Sequence, residues 1–194
     1  MSDVGRTPLF SLEKPEGLRL YLPFLLSAAI IVADQVVKFL IVKYIPFHTV
    51  GVSIWGGFLR IIHTRNLGVA FSIGDGWAPG LRKMLFILLP LIAIGLAIAY
   101  FLRAKEVTRA QQWCIGGIVG GGLGNIIDRV FRPEGVVDWV DVRFYGLFGM
   151  ERFPTFNIAD ASIVVFGILL ALVLFLEESR QVKSEKQSGG SANE

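Results

Sequence analysis

Thr155-Phe-Asn-Ile-Ala-Asp160 runs directly into the apolar segment 161–176. The segment reads as a membrane-spanning helix, and Asp160 stands about one turn inside its start. A carboxylate at that depth costs roughly 2.5 kcal/mol or more on insertion scales, so it marks a functional site by default. The rest of the chain has to supply whatever this aspartate faces.

The composition agrees with a membrane setting. Of 194 residues, 53% are hydrophobic and only 18% charged, against about 25% charged in a soluble domain. The deficit lies in long runs, which argues for an integral membrane protein over a large soluble core. A net charge of +3 with no clustered basic face argues against a nucleic-acid partner. The single cysteine, Cys114, cannot form an internal disulfide and reads as a buried, inert thiol.

The expected architecture is membrane α-helical, a single integral membrane domain with four transmembrane helices over 20–45, 84–102, 113–130 and 158–176. Residues 1–19 form a polar arm. The first run is too long for a secretory signal and ends in no cleavage site, so it is expected to be retained. Residues 46–83 differ in kind: β-branched and aromatic residues punctuated by glycine predict strands and turns outside the membrane, with a turn at Gly74-Asp-Gly76. Gly116, Gly120 and Gly124 recur every four residues in the third run, a pattern that lets another helix approach closely. Residues 131–157 form a second loop rich in aromatics and charge, and 177–194 a charged tail expected to lack regular structure. Arg103, Lys105 and Arg109 crowd the short loop between the second and third spans, which keeps that loop cytoplasmic. Four spans then place both termini in the cytoplasm and both long loops outside.

Alternating direction brings the ionisable residues of the spans to one side of the bilayer. Asp34 and Lys38 lie toward the outer end of the first span, Asp128 and Arg129 at the outer end of the third, and Asp160 at the outer start of the fourth. Asn125, Asp128 and Arg129 share a helix face, as do Asn157 and Asp160. Asp34 and Lys38, four residues apart, can neutralise each other, and Asp128–Arg129 reads as an ion pair at a helix end. Asn125 and Asn157 serve equally well as helix-to-helix hydrogen bonders. Asp160 has no Lys or Arg within one turn of its own helix, so its partner comes from elsewhere. Gly135-Val-Val-Asp-Trp139 reads as extended and offers Asp138, with Asp141 three residues on; either could stand beside Asp160. Two carboxyl groups in a dry site share a proton. One then activates water as a base while the other protonates a leaving group.

Other chemistries fit less well. His48 and His63 sit in no HExxH pattern and read as surface or turn residues, so no metal site is expected. No Gly-x-Ser-x-Gly elbow is present. A proton channel or ion-coupled transporter also uses intramembrane aspartates. Here the carboxylates occupy one side only, and the second span offers no relay. A protein that captures its ligand without cutting it is the remaining alternative.

Five pieces occur in register with one family: Asp34-Gln-x-x-Lys38, Asn66-x-Gly-x-Ala-Phe-Ser72, Gly121-Gly-x-Gly-Asn-x-x-Asp-Arg129, Val136-Val-Asp138 and Phe156-Asn-x-Ala-Asp160. Over 20–176 the chain resembles lipoprotein signal peptidase, also called signal peptidase II. The resemblance implies a multi-pass aspartyl endopeptidase of the bacterial inner membrane that works near the outer face. It would remove signal peptides from prolipoproteins carrying a diacylglyceryl cysteine, cutting just before that cysteine, with no cofactor. The family's catalytic pair falls on Asp138 and Asp160. Asn66, Asn125, Arg129 and Asn157 fall on substrate-binding positions. Asp34, Lys38, Asp128, Gly68, Gly124 and Ala159 fall on supporting ones. A small extracytoplasmic β-cradle, a lid-like second loop, contact with membrane lipids and a monomeric state are expected with it.

Overall fold

The computed structural model describes residues 21–67, 77–78, 80–81, 84–103 and 107–190, the last eleven of these as backbone alone. The arm 1–19, the turn 74–76, Gly68 and Lys105 lie outside the described residues. Four helices are long and apolar enough to cross a membrane, over Leu22–Tyr44, Met84–Leu102, Arg109–Phe131 and Ile158–Ser179.

Helix α1 is Leu22–Tyr44 and opens with Pro23 in its first turn, where no N–H is needed. Helix α2 is Leu89–Arg103, preceded by a π-helical turn Met84–Leu88. Pro90 accounts for that turn. Its ring presses on the carbonyl four residues back and removes one hydrogen bond, and the helix widens there. Helix α3 is Arg109–Phe131. It begins four residues before the predicted 113 because Thr108 and Gln111 form a reciprocal capping box. Helix α4 is Ile158–Gly190, which continues well past the predicted end at 176. The tail expected to lack structure is helical to Gly190. Its Glu, Arg, Lys and Gln residues are strong helix formers, and charge by itself does not end a helix.

Helix α3 is the hub. It buries 61% of its spanning window, against 28% for α1 and 11% each for α2 and α4. Glycine makes this possible. A Cβ at Gly116 would meet the Pro23 carbonyl oxygen of α1 at 2.5 Å, and one at Gly121 would collide with the Ala159 carbonyl oxygen of α4. Backbones approach here as they do at small-residue interfaces in membranes. Ser27 of α1 adds a 2.6 Å hydrogen bond to the Gly116 carbonyl. On the other side α2 packs on α3 through Phe101, Val107, Ile115 and Val119, with Phe24 edge-to-face on Phe101 at 5.2 Å.

The two long loops build one antiparallel sheet, in the order β1 (Val50–Ile54), β2 (Leu59–Asn66) and β3 (Val136–Val142). The second loop therefore completes the sheet begun by the first. In register, Thr64 faces Asp138 and Arg60 faces Asp141, with one irregularity in β2 between Ile61 and Thr64. Gly135, at φ +104°, makes the tight entry to β3, where a Cβ would stand 2.7 Å from the Asn66 carbonyl oxygen.

Gly121→Ala is expected to destabilise the protein by about 1–3 kcal/mol through overpacking against α4. Gly95→Ala, with nothing within 4 Å of the added carbon, should leave the unfolding midpoint unchanged or raise it. Thermal unfolding of both variants in one detergent checks the contrast.

Candidate active site

Asp160 owes its position to the start of α4. The Asp160 N–H donates to Asn157 Oδ1 at 2.9 Å, and the Asn157 N–H donates to Asp160 Oδ2 at 3.2 Å. This is a reciprocal cap with Asn157 as N-cap and Asp160 at the third helical position. The other oxygen, Oδ1, accepts from Asn125 Nδ2 of α3 at 2.7 Å. Asp160 is half-buried, so donors hold both its oxygens while part of the group remains accessible.

Asp138 comes from β3 and is 2% exposed. Asn157 Nδ2 donates to Asp138 Oδ1 at 2.7 Å, so Asn157 caps one aspartate and bonds the other. Asn66 stands diagonally across from Asp138 on the same face of the sheet and hydrogen-bonds it. Burial pushes the Asp138 carboxyl up from its ordinary 3.8 to about 7, and the charge of Asp160 pushes the same way. The hydrogen bonds from Asn66 and Asn157 and the charge of Lys38 oppose that rise. Arg129 lies within electrostatic reach of Asp160, Asp138 and Asp128, and its guanidinium sits over the Phe86 ring at 6.0 Å.

Beneath the pair is a fully buried ionic cluster. Lys38 Nζ lies 2.7 Å from Asp34 and 3.0 Å from Asp128, all three side chains having 0% exposure. Its third contact, to Asn125 Oδ1 at 3.0 Å, leads straight to the amide that holds Asp160. Asp34 also accepts the Ala159 N–H of α4 at 3.1 Å, and Asp128 accepts the Val137 N–H of β3 at 3.1 Å. Gly124 leaves room for this. A Cβ there would stand 3.0 Å from Asp34 Oδ2 and 3.2 Å from the Ala159 Cβ.

The structure thus brings Asp34, Lys38, Asn66, Gly124, Asn125, Asp128, Arg129, Asp138, Asn157, Ala159 and Asp160 to one place. Asp141 is turned away: its oxygens meet Arg60 and Arg152. Two participants have no role assigned from the sequence. Gln35 Nε2 reaches Gly124 O at 3.0 Å and Asp128 at 3.1 Å. Arg132 pairs with Asp128 at 3.0 Å, so the aspartate read as a partner of Arg129 serves Lys38 and Arg132. The i, i+4 spacing of Asp128 and Arg132 was the available signal. His63 is buried in β2, unlike the expected surface residue. Its Nδ1 contacts the Ile45 carbonyl at 2.8 Å, and Arg65 donates to its Nε2 at 3.1 Å. Among the described residues, no three His, Cys, Asp or Glu side chains gather as a metal-binding set.

Four spanning helices and a carboxylate–amide cluster where they meet a small sheet define the class as a membrane hydrolase of aspartic type. The family model described as Signal peptidase (SPase) II matches residues 26–176, and the chain belongs to that family. Its relatives include the lipoprotein signal peptidases of Treponema denticola, 48% identical over 84% of this chain and 94% of that protein, and of Treponema pallidum, 40% identical over 88% and 92%. That of Borrelia turicatae is 44% identical over 84% of this chain and 94% of its own. A solved bacterial membrane enzyme superposes with a TM-score of 0.70 at 30% identity, covering 81% of this chain and 90% of that one.

Lys38→Met removes the cation that Asp34 pairs with and leaves Asp128 with Arg132 alone. It is expected to cost about 3–5 kcal/mol, read as a lowered unfolding midpoint in detergent; an unchanged midpoint would contradict the cluster's role.

Proposed function

We propose that this chain removes signal peptides from diacylglyceryl-modified prolipoproteins by an aspartyl mechanism, cutting just before the lipidated cysteine. The observation that carries this reading is the pair Asp138 and Asp160, joined by one asparagine where the helix bundle meets the sheet. The two carboxyl groups are built differently. Asp138 is buried in a strand and, at about 7, holds its proton into the neutral range. Asp160 is half-buried with N–H donors on both oxygens. A water between them gives its proton to Asp160 and attacks the scissile carbonyl carbon, while Asp138 protonates the carbonyl oxygen. Collapse of the tetrahedral intermediate breaks the C–N bond. The proton on Asp160 passes to the leaving amine, and Asp138 recovers its own from the intermediate.

Arg129 and Asn66, at the rim of the pair, suit the substrate backbone; Asn125 and Asn157 hold the carboxylates while doing the same. The acyl chains of the substrate enter sideways from the bilayer between helices, since the site sits where the spans meet the sheet. Basic residues around the loop between α2 and α3 support cytoplasmic termini and a site near the outer face of the inner membrane. One chain carries all the groups named, which supports a monomer as the working unit.

The test is cleavage of a diacylglyceryl-modified lipobox peptide by the purified protein in detergent or lipid, beside the unlipidated peptide. Wild type should release the signal peptide from the lipidated substrate only. Asp160→Asn and Asp138→Asn should each lose turnover by about 10⁴-fold or more, in the range seen when a member of a catalytic set is removed. Asp141→Asn should retain measurable turnover. Because Asp138 must hold a proton, kcat/KM should fall as pH rises through about 7. Near wild-type cleavage by Asp160→Asn would sink the assignment, and vesicle ion flux lost in that variant would point to transport instead.

A further inference from the structure

Asp141 is the aspartate the proposed chemistry leaves unused, yet it is only 2% exposed and fully engaged. Its place on β3 explains why it cannot join Asp138. Side chains alternate along a strand, so residues three apart point to opposite faces. On its own face Asp141 meets Arg60 across the sheet, with Nε at 2.8 Å and a terminal nitrogen at 2.7 Å from Oδ2. Arg152, from the segment returning toward α4, donates its Nε to Oδ1. The terminal nitrogens of Arg152 reach the Gly57 carbonyl at 3.2 Å, and one of them the Asp141 carbonyl at 3.2 Å. One carboxylate and its two arginines therefore join four pieces of chain: β2, the turn between β1 and β2, β3, and the return segment.

That junction lies at the neck of a loop. The chain leaves Asp138, passes Asp141, runs out to the turn Leu147–Gly149 and comes back through Arg152 and Phe156 to Asn157 and Asp160. Backbone pairing at the neck is irregular, and farther out Arg143 pairs with Glu151 at 2.7 Å. Val140 with Phe156 and Arg143 with Arg152 are isolated bridges rather than a ladder. A few bonds bind the return strand, among them Phe153 N–H to the Val142 carbonyl at 2.8 Å and Val140 N–H to the Phe156 carbonyl at 2.8 Å. Charge-assisted, fork-shaped bonds from two arginines are stronger and more directional than these.

We infer that Asp141, Arg152 and Arg60 form a clasp that fixes the separation of Asp138 and Asp160, and that these three are positioning residues for the hydrolysis. The inference rests on the reading of Asp138 and Asp160 as the reacting pair. No clasp residue touches substrate. Each acts through the neck of the loop, which sets where Asn157 and the start of α4 stand relative to β3. Loosening the neck lets the two carboxyl groups part, and displacements of about 1 Å cost roughly 100-fold in rate.

The test compares Asp141→Asn, Arg152→Gln, Arg152→Lys and the double variant Asp141→Asn/Arg152→Gln with wild type and Asp138→Asn. Steady-state kinetics on the lipidated lipobox peptide are run across pH, and thermal unfolding is followed in the same detergent. Asp141→Asn and Arg152→Gln should each lower kcat by about 10–100-fold with KM changed less than about twofold. The double variant should be no worse than the poorer single, because both remove the same clasp. Arg152→Lys, which keeps the charge and loses the fork, should fall between.

The alkaline limb of the pH profile separates positioning from plain electrostatics. Asp138 owes part of its raised value to the charge of Asp160, and that influence weakens as the two part. A loosened clasp therefore moves the limb to lower pH in both single variants. Through-space charge alone would move it to lower pH in Asp141→Asn, where a negative charge is lost. It would move it to higher pH in Arg152→Gln, where a positive charge is lost. Should Asp141→Asn not fold, Arg152→Gln, whose side chain is 23% exposed, decides the matter. Wild-type kcat in Arg152→Gln, or limbs that move in opposite directions, overturns the clasp while Asp138→Asn remains inactive. Turnover by Asp138→Asn overturns the reacting pair itself.

Discussion

A lysine ammonium shut off from water between two aspartates holds this molecule together where its helices meet the sheet. Lys38, Asp34 and Asp128 are fully buried, so their charges are tolerable only if every oxygen and proton is met. The partners that meet them come from different elements. Asp34 takes an N–H from the start of α4, and Asp128 takes one from the start of β3 together with Arg132 and Gln35. The remaining contact of Lys38 goes to Asn125. Satisfying one buried cation thus fixes α1, α3, α4 and the sheet relative to one another.

The Asp138–Asp160 pair inherits its geometry from that requirement. Asn125, held by Lys38, presents its amide to Asp160, and Asn157 presents its own to Asp138. Asparagine suits both places because it donates and accepts at once and carries no charge to disturb the pair. Helix α3 brings this about by shedding side chains. Its glycines let α1 and α4 come within backbone contact, so that polar groups from three helices and a strand meet at hydrogen-bond distance. The sheet supplies the second carboxyl group from outside the bundle, which places one aspartate in a buried strand and the other at a more accessible helix start.

Much of this was legible from residue order. Long apolar runs and glycines every four residues mark the spans and the close approach, and the spacing of Asp34 and Lys38 announces their pairing. Alternating helix direction brings the polar positions to one side without any coordinates. What escaped depended on contacts between distant segments. That β3 would join the strands of the first loop needs a pairing across about seventy residues, which no local pattern carries. The choice between Asp138 and Asp141 looked open, although a strand through both must turn them to opposite faces. The early start of α3 was present in Thr108 and Gln111 as a capping box but was hidden by their polarity. The long end of α4 runs against the expectation drawn from charge, because the helix propensity of its Glu, Lys, Arg and Gln residues prevails there.

The central claim is that the site keeps one of two neighbouring carboxyl groups protonated into the neutral range, and that this group is Asp138. Infrared difference spectroscopy of the purified protein, titrated with pH, reads the carbonyl stretch of a protonated carboxyl group directly. The account predicts a buried band that disappears as pH rises through about 7 and is absent from Asp138→Asn. A wild-type spectrum with no such band near neutral pH, or a band that persists in Asp138→Asn, would contradict it.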